Sequence, residues 1–121
     1  MATEILSDGW DSPYYVVRTS AFDAKFLVGG GEKPDEVDNV DVTVHYPDRS
    51  RWSATVLTLD EVDRVMRRWE STGECAGGSY FAVPDGLIVR EPGVRNMAAV
   101  LIAMHDGGEL NSYLMRLADY D

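Results

Sequence analysis

Few residues in this chain are of a type that does chemistry. Two histidines (His45 and His105), one cysteine (Cys75) and 21 acidic residues make up most of the inventory. Nucleophilic catalysis would pair Cys75 or Ser79 with His45 or His105, inside a nucleophile elbow or beside an oxyanion element. The flanking residues spell neither. A metal centre needs several ligands at fixed spacing, but the two histidines fall on different elements and Cys75 has no C-x-x-C partner. Asp35, Glu36 and Asp38 lack the spacing of an EF-hand. Gly29-Gly30-Gly31 runs into Glu-Lys-Pro rather than Gly-Lys-Ser/Thr and opens no helix, so it reads as a hinge, not a phosphate loop. Gly77-Gly78-Ser79 precedes a strand pattern and fails in the same way. The sequence therefore predicts no catalytic residue, no cofactor and no metal. Acid–base work by paired carboxylates stays open, because spacing selects no pair among so many acids.

Charge is the stronger signal. The 21 acids face 11 bases, for a net charge of −10 and a pI near 4.5. The densest stretch holds Glu32, Asp35, Glu36, Asp38 and Asp41 against Lys33 alone. Nucleic-acid binding depends on Lys and Arg displacing phosphate counterions, so this balance argues against it. A negative field favours fast encounter with a basic protein. The predicted partner-binding set is Glu32, Asp35, Glu36, Asp38, Asp41 and His45, the last two on the polar side of a strand with Thr43.

The elements that must position these residues follow from periodicity. Residues 1–13 show none and are predicted to be a loose arm, with Trp10 a candidate anchor. Tyr14 to Phe22 reads as a strand, and Ala24 to Val28 as its continuation or a second strand. Residues 29–39 are polar, acidic and interrupted by Pro34, and are predicted to be a flexible loop. Val40, Val42, Val44 and Tyr46 alternate with Asp41, Thr43 and His45, which marks a half-buried strand. The turn Pro47-Asp48-Arg49-Ser50 leads into its partner, Arg51 to Leu57.

Thr58-Leu59-Asp60-Glu61 spells a capping box. The helix it opens carries Leu59, Val62, Val65, Met66 and Trp69 at helical spacing, with Asp60–Arg64 and Asp63–Arg67 as expected ion pairs. Its polar face offers a second candidate recognition surface. Gly73 ends it. Ser79–Val83 and Leu87–Arg90 flank Pro84-Asp85-Gly86 and read as a second hairpin. A helix with Val94, Met97, Ala98, Leu101 and Met104 inward runs to Gly107-Gly108. Leu110, Tyr113, Leu114 and Leu117 predict a last short one.

The expected fold is α+β: an antiparallel sheet built from hairpins, packed on one face by two or three helices. With 121 residues the chain is expected to be one domain, burying about two thirds of its unfolded surface. No apolar run approaches the ~18 residues of a membrane span. The start shows neither a basic nor an apolar signal segment, and a single cysteine forms no internal disulfide, so a cytoplasmic setting is expected.

From Trp52 to Leu117 the chain resembles small acidic immunity proteins of bacterial polymorphic-toxin systems. The carriers are Thr58-Leu59-Asp60-Glu61-Val62, Gly78-Ser79-Tyr80-Phe81, Asp85-Gly86-Leu87-Ile88-Val89 and Gly108-Glu109-Leu110. The resemblance covers about half the chain. It implies a compact cytosolic α+β domain that binds and blocks one cognate toxin. It carries no contact residue over to positions here. The expected function is thus a protein-binding inhibitor that occludes a basic toxin, as a monomer or homodimer. Two alternatives stand beside it: a small enzyme or ligand-binding domain with a pocket between sheet and helices, and a structural or regulatory subunit that dimerises through a strand edge.

Overall fold

Alternating valines seed the sheet. Val40, Val42 and Val44 face one way along β4 (Asn39–His45), while Asp41 and Thr43 face the other. The computed structural model describes residues 2–118 and places this strand near the middle of a seven-stranded sheet. β1 (Ile5–Asp11), β2 (Tyr14–Thr19), β3 (Asp23–Leu27), β4 and β5 (Arg51–Thr58) follow one another as antiparallel neighbours. Cross-strand register stacks one apolar row through the sheet, with Phe26 opposite Val42 and Val42 opposite Ala54. The β4–β5 turn closes as its sequence suggests: the Asp48 carboxylate accepts from the Ser50 amide at 2.9 Å, and Arg49 takes a positive φ of 72°.

α1 (Leu59–Thr72) carries the chain away from β5, and β6 (Gly86–Val89) returns beside it in parallel. α3 (Val94–Asp106) then supplies Val94, Met97, Ala98 and Leu101 to the core. One turn of helix, α4 (Leu110–Tyr113), adds Leu110, and Leu114 follows it into the same core. The two-residue β7 (Met115–Arg116) covers the free end of β5 beyond β6. The fold is α+β, as expected. No helix among the described residues is long and apolar enough to cross a membrane.

Several local expectations are revised. The first residues are not a loose arm: Ile5–Asp11 is a paired edge strand that extends the sheet across β2. The signal was missed because Asp8, Gly9 and Asp11 interrupt its apolar alternation. The loop over residues 29–39, expected to be flexible, is anchored through its second half. Val37 is only 3% exposed, and the Pro34 and Val37 carbonyls accept from the Val94 and Gly93 amides at 2.9 and 2.8 Å.

The second hairpin does not form. Cys75, Ala76, Gly77 and Gly78 make a left-handed turn within α2 (Glu74–Gly78), seated so closely on α1 that a Cβ at Gly78 would collide with the Met66 carbonyl. Phe81 then stacks on Trp69, with centroids 5.8 Å apart, rather than entering a strand.

The capping box is half made. Thr58 Oγ1 accepts from the Glu61 amide at 3.1 Å, but the Thr58 amide donates to the Asp38 carbonyl at 3.0 Å, leaving nothing for the Glu61 carboxylate to cap. Arg64 pairs with Glu61 and Asp38 instead of Asp60, whereas Asp63–Arg67 forms as expected at 2.8 Å. Along α1 only Val65 is buried, and Leu59 is 52% exposed. The last short helix, expected to reach Leu117, ends at Tyr113, which faces solvent. Because Leu101 is fully buried, Leu101→Ala should lower unfolding stability by roughly 2–5 kcal/mol, while Leu59→Ala should change it by less than about 0.5 kcal/mol, measured by urea denaturation.

Candidate partner-binding site

The six predicted residues are distributed over three places. Glu32, Glu36 and Asp38 come together. They line a surface hollow of about 420 Å³ with Lys33, Val37, Asn39 and Glu61. The loop supplies the first carboxylates, and the start of α1 brings Glu61 beside them. Arg64 bridges the two elements: its Nε donates to Glu61 Oε1 at 3.1 Å and its Nη2 pairs with Asp38. Asn39 donates to the other Glu61 oxygen at 3.5 Å. One guanidinium thus serves two carboxylates. Glu32 and Glu36 have no cation partner among the described residues. The hollow keeps an excess of negative charge facing solvent.

Asp35 turns to the other side of the loop. It lines a second hollow, about 360 Å³, with Gly9, Trp10, Tyr15, Pro34, Val94 and Arg95. There the Tyr15 hydroxyl donates to Asp8 Oδ1 at 2.6 Å, and Arg95 Nη2 pairs with Asp8 Oδ2 at 2.9 Å. The hydrogen bond to Asp8, then burial, holds the Tyr15 phenol above its usual range.

Asp41 and His45 lie on β4, on the sheet face turned away from the main core. Four residues of strand set them roughly 13 Å apart. Asp41 accepts from the Thr55 hydroxyl at 2.7 Å. Burial, then Lys25 and Arg51, pushes the His45 imidazole below its ordinary pKa, with Asp23 opposing. These surroundings disfavour the charged imidazole on this face.

A further hollow, about 320 Å³, is lined by Tyr46, Asp48, Ser50, His105, Gly108, Leu110 and Asn111. The Tyr46 hydroxyl and His105 Nδ1 share a hydrogen bond of 2.9 Å, and Phe22 packs edge-on to both rings at 5.7 Å. Ser50 gives its hydroxyl to Asp48 at 2.6 Å, which together with its amide holds the Asp48 carboxyl low. That pairing orients the serine toward a carboxylate and not toward the histidine, so no serine–histidine relay is assembled. Among the described residues, no group of three or more His, Cys, Asp or Glu side chains is placed to hold a metal ion.

Sequence reasoning missed Glu61 and Asn39 as members of the acidic hollow, and Arg64 as the bridge between Asp38 and Glu61. Glu61 carried a signal, but for capping, and its placement beside the loop depends on β5 pairing with β4. No protein-family model, curated protein or solved structure matches the chain.

The depressed His45 pKa has a definite sign. The unfolded chain takes up this proton more readily, so the His45 contribution is fully present above the ordinary value near 6.5 and is lost as pH falls below it. His45→Gln should therefore flatten the fall in melting temperature between about pH 7.5 and about pH 5, a window above the range where ordinary Asp and Glu titrate. Scanning calorimetry of both proteins across that window checks the slope.

Proposed function

We propose that this chain is a protein-binding inhibitor, an immunity protein of the cytoplasm that neutralises a basic toxin by covering its active surface. The observation that carries the reading is the acidic hollow, where Glu32, Glu36, Asp38 and Glu61 come together with Lys33, and Arg64 pairs only with Asp38 and Glu61. Unpaired carboxylates held on a fixed rim attract a basic surface and orient it during encounter. The net charge of −10 extends that attraction beyond the hollow. The likeness of residues 52–117 to immunity proteins points the same way. A ligand-binding reading has one observation in its favour, the Tyr46–His105 pair in its own hollow. That site has one lining carboxylate, Asp48, against the four of the acidic hollow.

The test pairs the protein with a basic partner captured on it and measures association by stopped flow over a salt series. Joint Glu32→Gln and Glu36→Gln replacement should slow association several-fold at low salt. The difference should fade as the Debye length shrinks from about 10 Å at 0.1 M to about 3 Å at 1 M salt. The parent should also inhibit the activity of that partner. Superimposable association curves for parent and variant would remove the acidic hollow from the mechanism.

A further inference from the structure

We infer that the second hollow, between the β1–β2 edge and the start of α3, receives an arginine side chain of the basic partner. The inference rests on the reading of the protein as a binder of a basic protein and names a contact that reading leaves open.

Two aromatic rings form the corner of this hollow. Trp10 and Tyr15 are directly opposite each other on β1 and β2, so both project from the same sheet face. Their centroids lie 5.3 Å apart with the planes at 90°. Trp10 is 54% exposed, which leaves indole surface open to a guest. Tyr15 is held by its hydrogen bond to Asp8, so the corner is already shaped before anything binds. Pro34 supplies apolar wall, with the buried Val94 behind it.

The charge of the site has a clear sign. Arg95 lines the hollow, but its guanidinium is paired with Asp8 at 2.9 Å. Asp35 has no cation partner among the described residues. Two carboxylates against one guanidinium leave one negative charge over. At the Tyr15 phenol the hydrogen bond to Asp8, burial and the Asp8 charge act first, Arg95 opposes them, and Asp35 adds the smallest share.

The backbone of Asp35 is fixed on both sides, through the Pro34 and Val37 carbonyls that accept from α3. Gly93 passes so close that a Cβ there would come within 2.7 Å of the Asp35 carbonyl. Its φ of 97° belongs to glycine as well.

An aromatic face attracts a cation through its quadrupole. A guanidinium can stack flat on the indole, direct its fork at Asp35 and lay its alkyl stem on Pro34. A lysine ammonium, compact and strongly hydrated, uses the planar surface less well. An apolar guest would strip water from Asp35 without replacing it. An anion would meet the unpaired Asp35 charge.

The test uses ¹H–¹⁵N NMR of the full chain titrated with Nα-acetyl-arginine amide. Saturable shifts are expected at the Trp10 indole N–H and the Val94 and Arg95 amides, with the Trp52 and Trp69 indoles unmoved. Asp35→Asn should weaken the apparent affinity about threefold or more, in line with a partly exposed ion pair. Trp10→Ala should abolish the shifts at Arg95, whereas Trp10→Phe, which keeps a π-face, should retain them in part. Nα-acetyl-leucine amide should give no saturation. The inference is overturned if the arginine shifts fail to saturate, if Asp35→Asn binds as well as the parent, or if the leucine probe binds equally. Such a failure beside intact salt-dependent association with the basic partner removes this contact alone. Loss of the charge effect at Glu32 and Glu36 removes the parent reading instead.

Discussion

Gly93 holds the molecule together at the point where three elements meet. Its amide donates to Val37, the next amide donates to Pro34, and its lack of a side chain lets the loop lie directly against the start of α3. The Thr58 amide, donating to the Asp38 carbonyl, fixes one side of the segment before β4, and that close approach fixes the other. With it, Val37 is buried, and α3 is launched across the sheet with Val94 and Met97 in the core. The same contact divides the acids of the loop. Asp35 is turned toward β1 and β2, while Glu32, Glu36 and Asp38 are turned toward α1. An acidic run that could have been a solvated tether becomes two separate charged rims on a rigid base.

The second constraint is electrostatic. Asp38 and Glu61 lie close enough to repel, and Arg64 between them offsets that repulsion. Arg95 does the same for Asp8 at the other rim. In each place the chain neutralises part of its own negative charge and leaves part uncompensated. The paired carboxylates shape the rims, while Glu32, Glu36 and Asp35 have no cation partner among the described residues. Both rims border the same β3–β4 loop.

The region after α1 shows how packing overrides local pattern. Residues 79–83 have the composition of a strand, and Pro84-Asp85-Gly86 has that of a hairpin turn. Yet the left-handed turn through Cys75 and Ala76, conformations that cost a side-chain-bearing residue roughly 1–2 kcal/mol each, brings Gly78 against the backbone of α1. The Trp69–Phe81 stack then holds this segment on the helix. β6 is left to enter the sheet alone, and the only edge of β5 still open accepts it in parallel.

Local chemistry settled much of the outcome. Alternating valines dictated β4, the Pro-Asp-Arg-Ser turn dictated its hairpin, and Thr58 and Gly73 bounded α1, because each of these depends only on residues near in sequence. The apolar face of α3 was legible for the same reason. So was the acidic character of the site, since charge is a property of composition. What the chain could not show by itself were the contacts made over long separations. β1 becomes a strand only because β2 offers it an edge. Glu61 joins Asp38 only because β5 pairs with β4, and Asp35 meets Trp10 and Tyr15 only because Gly93 admits the loop. Periodicity records which side of an element is apolar. It does not record which distant element will cover that side, because that choice is made by shape and by the backbone hydrogen bonds left unpaired.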